Sequence, residues 1–242
     1  MISLVKILSS HPLVATAAAA IVALPLGLFT LQSRAAEGAV KIPAPAVDEP
    51  VGSGLETVVL AGGCFWGVQG VFEHVKGVAS AIDGYAGGTV ENPSYEQVGT
   101  ETTGHAESVK ITFDPKQVSF GKLLQIFFSV VQNPTELNYQ GPDMGPSYRS
   151  AVFTMTDAQK KVADTYVAQL DAAKVFPAKI VTEVTPSTSF YRAEDYHQDN
   201  GITLKVNAAY VEYFDVPKIA NLKVMYPDVW QEKPQLVFAS NS

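Results

Sequence analysis

Cysteine is nearly absent from this chain of 242 residues, which carries only Cys64. One thiol cannot form an internal disulfide, so a disulfide framework is excluded. The four histidines, His11, His74, His105 and His197, are dispersed without ligand spacing, and no metal is expected. Acidic residues are missing from residues 1–35, where Lys6 and Arg34 are the only charges. A basic surplus is missing too: the formal charge is −7, or −9 once Lys6 and Arg34 are discounted, which argues against nucleic acid as a partner. No internal repeat is visible.

What the first 35 residues do contain is an apolar run, "HPLVATAAAAIVALPLGLFTLQSRAAEG", closed by small residues. That pattern reads as a secretory signal cleaved near Ala35 or Ala36. An uncleaved anchor is the rival, because Pro12 to Leu31 approaches the roughly 20 residues needed to span a bilayer. Pro25 and Gly27 fit the cleaved segment better. The expected location is therefore the periplasm, reached by export or faced from a membrane anchor. Residues 36–54, rich in Pro, Gly and small side chains, read as a linker, and 55–242 as one folded domain.

Within that domain, "ETVVLAG" (56–62) is a β-branched run ending in glycine and reads as a buried strand. Val68, Val71, Phe72 and Val75 then recur at helical spacing until Gly77. Cys64 thus lies where a strand gives way to a helix. "VASAIDGYAGG" is a second candidate strand. "AESVKITFD" (106–114) alternates, with Glu107, Val109, Ile111 and Phe113 on one face. A helix over "SFGKLLQIFFSVVQ", a strand "YRSAVFTM", a helix "DAQKKVADTYVAQLDAAK" and a strand "KIVTEV" follow. Interleaved strands and helices predict a single α/β or α+β domain with helices on a mixed sheet, followed by a long irregular C-terminal tail from Tyr191 that wraps the surface.

At a strand-to-helix junction a thiol meets free N–H groups and the positive end of a helix dipole, which favour the nucleophilic thiolate. Phe65 and Trp66 could line an apolar pocket suited to a methyl thioether. Equally, Cys64 could be a buried hydrophobe beside core rings. Glu107 bears on that choice. Its strand periodicity sets a carboxyl at the edge of an apolar surface, where desolvation would keep it protonated and able to donate to an oxygen. A cysteine acyl-transferase or protease, or a module that binds oxidised segments without catalysis, stays open at this point, although "GGCFWG" does not match the CGSCW-type protease pattern.

The blocks "GGCFWG", "NPSYEQV", "GHAESV", "GPDMGPSYRSAVF" and "FYRAEDYHQ", in that order and over about residues 56–200, resemble peptide methionine sulfoxide reductase of the A type. The resemblance implies an α/β two-layer fold with a ferredoxin-like core, and reduction of methionine S-sulfoxide in oxidised proteins and peptides. It implies that Cys64 attacks the sulfoxide sulfur and that Phe65 and Trp66 hold the substrate methyl group. Glu107, helped by the Tyr95 and Tyr148 hydroxyls, would protonate the oxygen, and Asp143 would belong to the block that orients this cluster. It implies no bound cofactor. Many relatives resolve the resulting sulfenic acid with further cysteines near the C-terminus. This chain has none, so the expected partner is an external thiol: thioredoxin, glutaredoxin or a small molecule. A monomer is expected.

The chain departs from the family pattern at Gln132 and Asn133, where His-Asp is usual, and at Tyr139, where Arg is common. His105 is expected to be structural, His197 to support the site, and Arg149 to anchor carbonyls or a carboxylate.

Overall fold

The computed structural model describes residues 38–187 and 189–238. The segment read as a signal or anchor lies outside the described residues. Among those described, no helix is long and apolar enough to cross a membrane.

Strands β1 (Glu56–Gly62), β2 (Val78–Ala86) and β3 (Ala106–Phe113) form the middle of the sheet. A short hairpin, β4 (Tyr139–Gln140) and β5 (Asp143–Met144), stands apart from it. Strands β6 (Ser150–Thr154), β7 (Glu183–Pro186) and β8 (Phe190–Arg192) complete a six-stranded sheet of order β7-β6-β1-β3-β2-β8. Every pairing is antiparallel except β6 with β7, so the sheet is mixed. The helices are α1 (Phe65–Glu73), α2 (Tyr95–Val98), α3 (Phe120–Ile126), α4 (Asp157–Ala172), α5 (Asn200–Thr203), α6 (Ala208–Tyr210) and α7 (Val216–Met225).

Alternation along the strands divides the core. Val58, Leu60, Val109, Ile111 and Phe113 face the main cluster, which they share with Val68, Val71 and Phe72 of α1 and Leu123 and Leu124 of α3. Val59, Ala61, Ala106 and Ala151 face a smaller cluster on the other side, partly covered by Phe190. Each wholly buried Leu or Phe contributes roughly 2 to 3 kcal/mol to folding. Ser119 and Thr156 start α3 and α4 by accepting from Lys122 N and Gln159 N, each cap worth about 1 kcal/mol.

Several boundaries differ from the sequence reading. The helix expected over "SFGKLLQIFFSVVQ" widens into a π-helical turn at Phe127–Val131, which keeps Phe127, Phe128, Val130 and Val131 all buried. Tyr148 lies in a 3₁₀ turn, Pro146–Tyr148, ahead of β6. Strand β7 starts at Glu183 because Ile180 N bonds the Asp171 carboxylate and Val181 N the Pro134 carbonyl.

The largest correction concerns the tail. Beyond Tyr191 the chain was expected to lie irregularly on the surface. It instead adds β8 to the sheet edge and packs α5, a π-helical turn (Val211–Asp215) and α7 against α1. His197, Gln198, Asp199, Asn200 and Asp215 are all buried. Polar composition suggested a surface, but several of these groups find partners inside: Gln198, for example, accepts from Asp83 N and donates to the Asp83 and Ala193 carbonyls.

The same tail seals the C-terminal end of α1. Asp199, in the left-handed region at φ 61°, accepts from Val237 N at 2.8 Å and Phe238 N at 3.0 Å. Glu73 and Asp83 are buried beside it, and among the described residues their carboxyl oxygens find no geometrically sound partner. Desolvation, and the neighbouring Asp199 carboxylate, push Glu73 up to about 11, so it is a neutral acid.

Residues 38–54 take up no helix or strand, yet they are fastened to the domain. Val40 N bonds Ser129 O, Tyr166 donates to Pro43 O at 2.6 Å, and Asp48 accepts from Ser119 Oγ and Gly121 N at the start of α3.

Candidate active site

Strand β1 ends at Gly62, the chain turns through Gly63, and Cys64 becomes the N-cap of α1. Gly63 sits at φ +89°, and a Cβ there would also lie 2.7 Å from Gln140 Cβ, so glycine is required twice over. Gln140 is itself fixed by two bonds to the Asn133 backbone. This turn brings the thiol to the edge of the main core with 7% of its surface exposed, accessible only through a narrow opening.

Glu107 arrives from β3. Its Oε2 accepts the Phe65 N–H at 3.0 Å, capping the first turn of α1 immediately after the thiol. Burial, against this one hydrogen bond, pushes its carboxyl up to about 8, with Asp143, Asp215 and Glu101 adding to the rise. Glu107 is thus predominantly an acid at neutral pH, in keeping with its alternation on the strand.

The helix terminus, which favours a thiolate, is opposed here by burial. Cys64 is pushed well above the ordinary thiol value by burial first and then by the carboxylates of Asp215, Glu107 and Asp143; only the Trp66 N–H opposes them. Glu107 also takes the first amide of the helix terminus, Phe65 N–H, which leaves the Trp66 N–H to the sulfur. Burial thus favours the protonated thiol over the thiolate in the empty site.

The other named residues surround this pair. Phe65 stacks on Tyr95 with ring centres 6.5 Å apart and meets His197 at 4.9 Å. Trp66 lies 6.3 Å from Phe65 and edge-on to Tyr210 at 6.2 Å. The Tyr95 and Tyr148 hydroxyls neighbour one another, and burial drives both phenols up, so they stay protonated donors. Asp143 accepts a short hydrogen bond from the Tyr210 hydroxyl. Cys64, Phe65, Trp66, Tyr95, Glu107, Asp143 and Tyr148 therefore gather in one place, although they come from four separate stretches of chain.

His197 supports the site through Trp66, whose indole N–H donates to Nδ1 at 3.1 Å. Burial lowers its pKa to about 4, so it is neutral with the proton on Nε2, toward Glu194 at 3.8 Å. Because its Nδ1 serves the indole, it forms no Cys–His pair with Cys64. His105 is structural: Nδ1 takes the Gly88 N–H and Nε2 meets Val90 O. Arg149 bonds the Pro146 and Gly104 carbonyls and the Glu183 carboxylate.

The departures from the family pattern are local. Asn133 Oδ1 accepts from Thr135 N and Oγ1, while its Nδ2 donates to Glu136; an aspartate would keep the turn but face that carboxylate. Gln132 is buried under Gly62 with neither amide atom partnered among the described residues. Tyr139 is half-buried on β4, opposite Met144.

Sequence reasoning missed Tyr210, Glu194 and Asp215. Glu194 accepts from Tyr95 N and the Tyr85 hydroxyl and so fixes α2 over the site. The only signal for Asp215 was "DVPK", which reads as an ordinary helix N-cap before proline.

The family model described as peptide methionine sulfoxide reductase matches residues 56–227. A peptide methionine sulfoxide reductase of Mesorhizobium japonicum is 54% identical over 196 residues, covering 81% of this chain and all of that protein. One from Pasteurella multocida is 45% identical, covering 73% of this chain and 99% of its own. Among solved structures, methionine sulfoxide reductase A of Corynebacterium diphtheriae aligns at 30% identity with a TM-score of 0.53, covering 70% of this chain and 88% of that one. Reduced Mxr1 from Saccharomyces cerevisiae aligns at 30% identity with a TM-score of 0.54, covering 64% and 88%.

Proposed function

The chain belongs to the peptide methionine sulfoxide reductase family and reduces methionine sulfoxide, and from that premise we propose that it works as an exported, monomeric, single-cysteine enzyme on the S-epimer. The observation that carries the mechanism is the hydrogen bond from Phe65 N–H to Glu107, which holds a carboxylic acid next to the Cys64 sulfur.

In the first half-reaction the methyl group sits against Phe65 and Trp66 and the sulfoxide oxygen points at Glu107, Tyr95 and Tyr148. Glu107 gives its proton to that oxygen as the Cys64 sulfur bonds to the sulfoxide sulfur, and the thiol proton restores the acid. Without that proton the developing anion would be stranded in a dry pocket. The protonated oxygen then passes from the substrate sulfur to the Cys64 sulfur as the sulfur–sulfur bond and the substrate's sulfur–oxygen bond break, which leaves a sulfenic acid on Cys64 and releases methionine. Two electrons pass from Cys64 to substrate with no net proton change. In the second half-reaction an external thiol attacks the sulfenic acid and releases water, and a second thiol frees Cys64 as the disulfide departs. Since no other cysteine exists in the chain, both thiols come from outside, and a thioredoxin-like or glutaredoxin-like dithiol fits that need.

Asp143 acts by holding Tyr210, and Tyr210 closes the pocket beside Trp66. Export rests on the apolar, acid-free residues 1–35 and the small residues at Ala35 and Ala36.

An assay of both sulfoxide epimers, with dithiothreitol and with thioredoxin, tests these points together. The expected result is methionine from the S-epimer with either reductant. Methionine from neither epimer overturns the mechanism; methionine with dithiothreitol alone removes the thioredoxin-like partner. Mass spectrometry of the mature protein should find a chain starting near residue 36, and a Met1 start overturns cleavage.

A further inference from the structure

Asp215 precedes α7 and carries the sequence of a helix cap, but it does not cap that helix: its side chain makes no bond to the α7 amides. It points instead at the first turn of α1. A Cβ on Gly67 would collide with its Oδ1, so the contact with α1 exists because residue 67 is glycine. The carboxylate is wholly buried, and among the described residues neither oxygen has a hydrogen-bond donor. Its counter-charge among the described residues is Lys218 Nζ at 3.6 Å, itself almost buried. An exposed cap would cost nothing; a buried, donor-starved carboxylate costs several kcal/mol unless paired, so its orientation toward α1 calls for a use.

The groups that face this region are Cys64 at the N-cap of α1, Asp83 on β2, Glu107 on β3, Asp143 on β5, Tyr210 on α6 and Lys218 on α7. Of these, Lys218 is the one cation. We propose that Asp215 is a positioning residue for this reaction: wedged between Gly67 and Lys218, it is the fixed negative charge that keeps Cys64 a thiol and Glu107 an acid while the site is empty. Its burial lifts its own pKa to about 6 and Lys218 restrains the rise, so it is ionised at neutral pH. For an enzyme with one cysteine the benefit is direct. A standing thiolate would be oxidised by peroxide or alkylated with no neighbouring thiol to rescue it, whereas a thiol waits until a sulfoxide is seated.

The inference rests on the functional reading above for its meaning, but its test does not need turnover. Alkylation of Cys64 by iodoacetamide, followed by mass spectrometry between pH 6 and 9, reads the thiolate fraction directly, and the single cysteine makes the signal unambiguous. In D215N, which preserves shape, alkylation at pH 7 should be about tenfold faster and its pH profile displaced about one unit downward. The upper limb of the reductase pH profile should move the same way as Glu107 loses repulsion. K218M provides a second route should D215N fail to fold. Stripped of its counter-ion, Asp215 takes up a proton at pH 6 to 7, and alkylation there should again be faster. Alkylation profiles that coincide with wild type in folded D215N or K218M overturn the proposal. A wild-type protein without reductase activity, with the alkylation shift of D215N intact, would refute the reductase mechanism and spare this inference.

Discussion

The two ends of α1 carry similar chemistry and opposite consequences. At the C-terminal end Glu73, Asp83 and Asp199 form a sealed acidic cluster that fastens the last described residues of the chain, Val237 and Phe238. At the N-terminal end Glu107, Asp143 and Asp215 surround a thiol that keeps a small opening to solvent. Both clusters raise the pKa of a glutamic acid by desolvation, to about 11 for Glu73 and about 8 for Glu107. The difference lies in what the raised acid meets. Glu73 is shut in with no reacting group beside it, while Glu107 is poised near physiological pH beside a nucleophile and can exchange its proton. A shifted carboxyl becomes functional through access and a reacting partner, not through the size of its shift.

Removing the nucleophile is the most drastic way to break this comparison. C64S should abolish turnover, by more than about 10³-fold, with melting temperature little changed, because a hydroxyl of similar size replaces the thiol. Measured sulfoxide reduction in that variant would separate the two ends from catalysis altogether.

Next comes the poised acid. E107Q keeps the acceptor for Phe65 N–H and loses the proton, so kcat/KM should fall by roughly 10² to 10⁴ while iodoacetamide still reacts with Cys64. In wild type the rate should decline above about pH 8, since the raised acid is competent below its pKa and spent above it. E107Q should lack that limb, and a wild-type pH profile in E107Q would remove the proton-donor role.

The sealed end makes a contrasting forecast. Glu73 is raised from 4.5 in the unfolded chain to about 11 in the folded one, so its contribution is fully present below pH 4.5 and erodes as pH rises toward 11. E73Q removes this burden. It should leave kcat/KM unchanged and raise stability by roughly 1 to 3 kcal/mol at pH 8, with little gain near pH 4.5. Denaturant titration at the two pH values checks the sign. Equal effects at both would mean the burial, not the proton, is what costs.

The smallest effect is expected at His197. H197A frees the Trp66 indole, and KM should rise several-fold with kcat nearly kept, since the pocket wall loosens while the acid stays put. A loss confined to kcat would place His197 in the chemistry.

How much of this could be read from the residues depended on whether local pattern and final environment agree. Strand β1, the start of α1 at Cys64 and the inward face of β3 were legible because alternation and helical spacing there match burial, and Glu107 followed from its place in that alternation. The grouping of Tyr95, Asp143 and Tyr148 followed from family resemblance, not from spacing. The tail was illegible. Its polar residues look like surface, and nothing local tells that Gln198 will be satisfied by three buried backbone groups. Asp215 was hidden for the opposite reason: "DVPK" fits a helix cap too well, and its true orientation depends on a glycine about 150 positions earlier in the chain. The pull on the thiol was half legible: the helix terminus is local, whereas the burial and the Asp215, Glu107 and Asp143 carboxylates that oppose it come from distant stretches of chain.

The bond between Phe65 N–H and Glu107 also bears on how such an enzyme can change over generations. It registers the acid to the nucleophile through the main chain, an atom pair that every residue type except proline supplies at position 65. The ring at that position is held by its packing against Tyr85, Tyr95 and His197, so a change there acts on which sulfoxides are admitted while the main-chain bond keeps the acid aligned. Appetite and chemistry are thereby inherited separately, from the side chain and the backbone of one residue.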